Sequence, residues 1–178
     1  MSTFDRRACL QAAGALGLTA WAGLPLHAQT PPASEAKAPP LPALGSPLAV
    51  PAVPLLDGGR FDPASAEGQV LVLYWWASWC PFCAVVSPLM DQLWRAHASR
   101  GLRFLGLSID KKPQDAVAYL AKRGYDFPSA WVSPELAKAL PKPKGLPVTL
   151  VRGRDGRLVM AEAGQLFPED VADIARFL

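Results

Sequence analysis

The sequence has little cysteine and histidine, with three cysteines and two histidines among 178 residues. A structural zinc ion needs about four ligands, commonly from two Cys-x-x-Cys pairs or from added histidines. Two of the five candidates, Cys9 and His27, lie in an N-terminal segment that we expect to be removed. Cys80, Cys83 and His97 remain, and they are too few to favour a structural zinc site.

The sequence also lacks a strong excess of charge of one sign and a full membrane-spanning run. Its formal net charge is +3 at pH 7, which does not suggest nucleic-acid binding. The apolar stretch at residues 12–24 is shorter than the about 20 residues of a membrane span, and Pro25 closes it. With 51% apolar residues, the chain instead favours one globular domain with a sizeable core.

The first 28 residues are typical of an export signal. Arg6 and Arg7 precede the apolar stretch, and Ala28 supplies the small residue expected at a cleavage site. The arginine pair resembles a twin-arginine signal, and general secretion is the alternative. We therefore expect residues 1–28 to be cleaved and the protein to reside in the periplasm. A mature chain with only two cysteines suits a thiol enzyme in that oxidising compartment.

A Pro/Ala-rich segment follows at residues 29–47 and contains six prolines. Such a composition buries little surface, so we expect a linker that is extended or disordered. Residues 48–178 then form the folded domain.

Apolar patterns in residues 48–178 predict alternating strands and helices. The continuous apolar run Val70–Trp76 predicts a central strand that is covered on both faces. A strand–helix–strand order with short connections predicts a parallel pair joined by a right-handed crossover. The other predicted elements are an irregular edge hairpin at 48–61, a Pro88-interrupted helix from Cys83 to Gly101, a strand at 102–110, a helix at 114–123, an extended piece at 126–131, a hairpin of 148–151 with 158–161, and a helix at 169–178.

The most informative stretch is Trp79-Cys80-Pro81-Phe82-Cys83, between the central strand and a predicted helix. A cysteine at a helix start lies among backbone N–H groups without intrahelical partners, which favours the thiolate. The thiolate attacks disulfides, and a thiol three residues later can resolve the mixed disulfide. The spacing therefore predicts a redox dithiol, in which a partly exposed Cys80 attacks and a less exposed Cys83 resolves. Half of a zinc site and an inert structural disulfide are the alternatives.

Five features in the same order resemble the thioredoxin fold and, within it, the exported TlpA-like and ResA-like thiol-disulfide oxidoreductases. They are Trp76-Ala77-Ser78-Trp79-Cys80, the Cys80/Cys83 pair, Pro88 in the following helix, Gly145-Leu146-Pro147 before a hairpin, and the edge hairpin and segment 114–131 typical of the exported branch. The resemblance implies an α/β fold in which helices flank a central mixed β-sheet. An N-terminal edge hairpin and a central insertion complete it.

The resemblance also implies a substrate surface around the dithiol. Pro147 corresponds to the family's cis-proline, which faces the dithiol and leaves the preceding backbone free to pair with a substrate strand. Leu146 then becomes the specificity residue. Trp79, Pro81 and Phe82 complete the predicted substrate-binding set, and ordinary packing is the alternative for Trp79 and Phe82.

Two departures from the family concern the resolving thiol. Tyr74 stands where thioredoxin carries a buried aspartate that assists proton transfer, and no carboxylate occurs between Cys83 and Met90. No side-chain base for Cys83 is visible, so we expect water to carry its proton. Lys142 and Lys144, just before the cis-proline position, are expected to be solvated, and the alternatives are that they favour the thiolate or steer acidic partners.

The predicted function is that of an exported protein-disulfide reductase that needs no cofactor or metal. We expect a monomer that takes electrons from a membrane thiol donor and reduces disulfides in exported proteins, cytochrome c precursors being one family substrate. A Dsb-type disulfide oxidant and a copper-thiolate delivery protein are the alternatives. Peroxidase chemistry is disfavoured because Ala77 stands where a peroxiredoxin needs threonine.

Overall fold

The computed structural model of the protein describes residues 37–178. The predicted export signal and residues 29–36 of the predicted linker lie outside the described residues. From residue 37 onward, no helix has both the length and the hydropathy to cross a bilayer.

Seven strands and four α-helices form the described chain, together with short 3₁₀ turns. In chain order they are β1 (Val53–Pro54), β2 (Arg60–Phe61), β3 (Val70–Trp76), α1 (Pro81–His97), β4 (Leu102–Ser108), α2 (Pro113–Arg123), β5 (Ser129–Trp131), α3 (Pro134–Ala139), β6 (Val148–Arg152), β7 (Leu158–Ala163) and α4 (Pro168–Asp173).

A five-stranded mixed sheet with the order β5-β4-β3-β6-β7 forms the centre of the domain. Strand β3 pairs in parallel with β4 and antiparallel with β6. The predicted parallel crossover and C-terminal hairpin are therefore confirmed. Strands β1 and β2 form a separate antiparallel pair, which is the predicted N-terminal hairpin.

Strand β3 is buried along its whole length, as its continuous apolar run predicts. Successive side chains of a strand point to opposite faces of the sheet. Tyr74 and Trp76 pack with α1 on one face, whereas Leu73 and Trp75 pack with β1, β2 and α3 on the other. Both layers thereby fix the end of β3, from which the dithiol follows.

The helices differ from the predicted ones mainly at their ends. Helix α1 begins at Pro81, where a missing N–H costs no intrahelical bond, and it contains Pro88. Helix α3 was not predicted, because its six residues precede a proline-rich stretch that is typical of a loop. Its start signal is nonetheless present, since the Ser133 hydroxyl accepts a bond from Leu136 N (3.2 Å). Helix α4 ends at Asp173, and a 3₁₀ turn continues the predicted last helix.

The last part of the predicted linker lies along the outer edge of β7. Gly45 N donates to Leu158 O (2.8 Å), and Leu158 N donates to Ser46 O (2.9 Å). The Arg157 guanidinium donates to Gly45 O (2.8 Å). This segment is therefore hydrogen-bonded to the domain, and it covers part of an edge strand that is otherwise open to pairing with other chains. The boundary at residues 47/48 stays a prediction.

Candidate active site

Cys80 is the N-cap residue of α1 and ends the loop that leaves β3. We call residues 77–80 the nucleophile loop. The backbone of Cys80 is extended, and its Sγ accepts a hydrogen bond from Cys83 N (3.1 Å). The sulfur therefore takes the place that a serine or aspartate oxygen takes at other helix starts. A negative charge on this atom interacts favourably with the helix dipole.

Cys80 and Cys83 form a disulfide, with their Cα atoms 5.2 Å apart. Cys83 is fully buried and Cys80 retains 4% of its surface. The predicted order of exposure is confirmed, but the predicted partial exposure of Cys80 is wrong for this oxidised form. The reason is that the N-cap side chain folds back over the first helical turn and is tied there to a buried partner.

Exposed apolar side chains surround the buried dithiol. Trp79 is 63% exposed and Phe82 is 54% exposed, and Val85, one helical turn after Phe82, is also exposed. Ordinary packing therefore does not account for Trp79 and Phe82. Pro81 is exposed between them at the first helical position. Patches of exposed apolar residues mark interaction sites in proteins, and substrate binding by Trp79, Pro81 and Phe82 stays a prediction.

The Leu146–Pro147 peptide bond is cis, as the family resemblance implies. Leu146 is half-buried and packs against the core cluster that contains both cysteines, and Pro147 is buried. The Pro147 carbonyl accepts from Gly164 N (2.8 Å). Within residues 37–178, no hydrogen bond engages the backbone N–H or C=O of Leu146. Substrate binding by Leu146 and Pro147 stays a prediction.

Lys142 is directed to the backbone of its own loop. Its Nζ donates to Pro143 O (2.8 Å) and to Gly145 O (2.6 Å), directly before the cis-proline. The ammonium therefore supports this loop, and Lys144 is exposed to solvent.

Tyr74 lies under the resolving cysteine, in the position where thioredoxin has its aspartate. Its hydroxyl shares a hydrogen bond with the Ser87 hydroxyl (3.0 Å) and donates a longer one to Cys83 O (3.5 Å). Burial raises the pKa of Tyr74 far above its usual value, so this phenol stays protonated and is not a base. Ser87 is fully buried and sequence reasoning missed it. The only sequence signal for Ser87 is that a polar residue occupies a position on the core-facing side of α1.

Asp110 is a second site residue that sequence reasoning missed. Its carboxylate accepts hydrogen bonds from Ser78 N (3.2 Å), the Ser78 hydroxyl (2.7 Å) and the Ser108 hydroxyl (2.8 Å). The Trp131 indole N–H donates to the Asp110 carbonyl (2.7 Å). The sequence carries only a partial signal: an aspartate follows β4, and the predicted parallel strands end at the same sheet edge, but no local pattern pairs Asp110 with Ser78.

Comparison with known proteins identifies relatives of this arrangement. Residues 45–157 match the AhpC/TSA family. The soluble secreted antigen MPT53 of Mycobacterium tuberculosis is 32% identical over 72 residues, which are 40% of this chain and 40% of that protein. The match thus spans less than half of this relative. The thiol-disulfide oxidoreductase ResA of Bacillus anthracis is 22% identical over 116 residues, covering 65% of this chain and 67% of ResA.

A solved structure supports the same assignment. The thiol:disulfide interchange protein of the thioredoxin family from Chlorobium tepidum TLS superposes with a TM-score of 0.69 at 26% identity. The superposition covers 76% of this chain and 97% of that one, and it confirms the predicted thioredoxin fold. The chain therefore belongs to the AhpC/TSA family; its relatives include thiol-disulfide oxidoreductases, and its Cys80 and Cys83 form a disulfide.

Proposed function

We propose that this protein is an exported, periplasmic reductase of disulfides in other exported proteins, with a membrane thiol protein as its electron donor. The observation that supports the direction is the small number of hydrogen-bond donors to the Cys80 sulfur. Within residues 37–178, one hydrogen bond reaches Sγ, from Cys83 N, and no histidine lies between the cysteines. A strong oxidant stabilises its reduced form well, whereas a weakly stabilised thiolate favours the disulfide and so makes a reductant.

The reaction follows from the positions of the two sulfurs. The Cys80 thiolate attacks one sulfur of a client disulfide, and the other client sulfur leaves as a thiolate that takes a proton. Cys83 then loses its proton and attacks Cys80 Sγ, which breaks the mixed disulfide and releases the second client thiol. Two electrons have passed to the client, and the Cys80–Cys83 disulfide remains, as in this structure. The membrane dithiol donor restores the dithiol by the reverse exchange.

The apolar surface around the dithiol supports binding of an extended client segment. Trp79 and Phe82 supply exposed aromatic area on one side, and Leu146 offers unpaired backbone groups on the other. A client strand that pairs with these groups gains main-chain hydrogen bonds, and its apolar side chains bury the aromatic area. Pro81 and Pro147 shape this surface without adding donors of their own.

The secreted relative and ResA support export and thiol exchange, and cytochrome c precursors are the client class that the ResA-like resemblance suggests. A Dsb-type oxidant is less well supported, because only α2, β5 and α3 lie between β4 and β6, with no inserted helical domain. For copper delivery, the described residues offer two thiols and no cluster of three or more Cys, His, Asp or Glu residues.

Two cysteine variants test the catalytic assignment. We expect the domain to reduce insulin with dithiothreitol as donor, and Cys80→Ser to abolish this activity. Cys83→Ser retains attack but loses resolution, so it traps mixed disulfides through Cys80 in periplasmic extracts. Full activity of Cys80→Ser, or an absence of thiol-reversible adducts with Cys83→Ser, contradicts the proposal.

The substrate surface is tested with a matched pair of phenylalanine variants. Phe82→Ser is expected to raise KM for protein clients severalfold and to leave the rate with a small disulfide nearly unchanged. Phe167→Ser is the control, because Phe167 is similarly exposed (58%) and lies at the start of α4. Equal effects of the two variants contradict a client-binding role for Phe82.

A further inference from the structure

A buried carboxylate beside the nucleophile loop has no part in the exchange reaction described above. Asp110 is 3% exposed and follows β4 at the sheet edge from which the nucleophile loop leaves β3. Its two oxygens bind the backbone N–H and the hydroxyl of Ser78, two residues before Cys80. With Trp79 and Asp115 it lines a cleft of about 380 Å³ next to the loop.

The hydrogen-bond partners of this carboxylate are all neutral. Ser78 and Ser108 donate to it, and within residues 37–178 no ion pair includes Asp110. Hydrogen bonds from neutral groups stabilise a buried carboxylate but leave its net charge in place. The nucleophile loop therefore lies against a buried carboxylate whose hydrogen-bond donors carry no charge.

We propose that Asp110 is a positioning residue for Cys80: its carboxylate holds the nucleophile loop and, as a fixed negative charge beside that loop, opposes formation of the Cys80 thiolate. This inference deepens the proposed reductase function and rests on it, because a less stable thiolate makes the dithiol the better reductant.

Other charged groups near Cys80 are more exposed or otherwise engaged. The first turn of α1 has no acidic residue. Lys111 and Asp115 line the same cleft, but both are exposed and therefore screened by solvent. On the cis-proline side, the Lys142 ammonium binds backbone carbonyls of its own loop. Among these groups, Asp110 is the buried one whose carboxylate is hydrogen-bonded to the loop that carries Cys80.

The size of the effect follows from the distance along the loop. Consecutive Cα atoms are about 3.8 Å apart, so the Cys80 sulfur lies on the order of 10 Å from a carboxylate bound to Ser78. At an effective dielectric constant of about 20 to 40, one charge at that distance shifts the pKa of the thiol by about half a unit to one unit.

Asp110→Asn tests the effect of the carboxylate charge on Cys80 with the smallest change of shape, because the amide oxygen can still accept a hydrogen bond from Ser78. The pKa of Cys80 is measured from the pH dependence of iodoacetamide alkylation, in a Cys83→Ser background. We expect it to fall by about half a unit to one unit. With both cysteines present and at a pH above the pKa of Cys80, the equilibrium constant against glutathione should shift about three- to tenfold toward the dithiol, or about 15 to 30 mV. Asp115→Asn is the control and should change neither value.

Ser108→Ala distinguishes the effect of the Asp110 charge from the effect of its hydrogen bonds to the nucleophile loop. This variant also tests the inference if Asp110→Asn does not fold. It removes one hydroxyl donor from the carboxylate and keeps the charge, so the pKa of Cys80 should rise. An unchanged or raised pKa in Asp110→Asn, or no rise in Ser108→Ala, overturns the inference. A wild-type potential near that of a strong oxidant contradicts the proposed reductase function instead, and leaves the pKa effect of Asp110 as a separate result.

Discussion

Replacing Tyr74 with phenylalanine measures what the buried hydroxyl pair contributes under the dithiol. The variant removes a hydroxyl that lies 3.0 Å from the Ser87 hydroxyl and 3.5 Å from Cys83 O. One net hydrogen bond contributes about 1 kcal/mol, and a buried partner left unsatisfied costs about 1–3 kcal/mol. We therefore expect the free energy of unfolding of the oxidised form to fall by about 1–3 kcal/mol in urea titrations.

Ser87→Ala and the double variant provide the matched controls. The double variant removes both partners and leaves no orphaned hydroxyl, so its cost should be smaller than the sum of the single costs by about 1 kcal/mol. A loss below about 0.5 kcal/mol in Tyr74→Phe, or strict additivity, refutes the assigned hydrogen bond.

The same tyrosine gives a pH prediction with a defined sign. Burial raises the pKa of Tyr74 above its ordinary value of 10.0, so above pH 10 the unfolded chain loses this proton before the folded protein does. The folded protein then binds more protons, and the free energy of unfolding must fall as the pH rises. Tyr74→Phe should remove part of this alkaline decline. A decline of equal slope in wild type and variant contradicts the burial effect.

Two further predictions concern the dithiol and its neighbouring loop. The Cys80–Cys83 cross-link closes a loop of about four residues, and the chain-entropy relation then makes the oxidised form about 2 kcal/mol more stable than the reduced form. Urea unfolding of the two forms side by side measures this stability difference, and a more stable reduced form contradicts the prediction. Gly145→Ala should destabilise the protein by at least about 1 kcal/mol. Gly145 has a φ of +106°, and an added Cβ would lie 2.9 Å from Ala163 Cβ. A thermal unfolding midpoint equal to that of the wild type contradicts this prediction.

Features encoded in short stretches of sequence were predictable. The apolar run of β3, the helix start at the dithiol and the Gly-Leu-Pro stretch before β6 each combine a local pattern with a known geometry. The parallel pairing of β3 with β4 was predictable because a strand–helix–strand unit with short connections favours a right-handed crossover. The Cys80/Cys83 pair was therefore predictable from the residues themselves, whereas the cis bond before Pro147 was predicted from the family resemblance.

Features that depend on residues far apart in the sequence were not predictable. Asp110 is important only because β3 and β4 end side by side and bring it to Ser78, 32 residues earlier. Ser87 acquires a role through Tyr74 on another element. The segment before residue 48 gains its hydrogen bonds from Leu158, more than 100 residues later. The reduced exposure of Cys80 follows from the folded first turn of α1, which residue type alone does not specify.

The reduction potential of the Cys80–Cys83 couple tests the central claim most directly. Equilibration of the purified protein with glutathione buffers, with the dithiol fraction read by thiol alkylation, gives this value. The weakly stabilised thiolate predicts a potential below about −200 mV, nearer to thioredoxin at about −270 mV than to the DsbA oxidant at about −120 mV. A value near −120 mV contradicts the reductase assignment and makes the protein a disulfide donor.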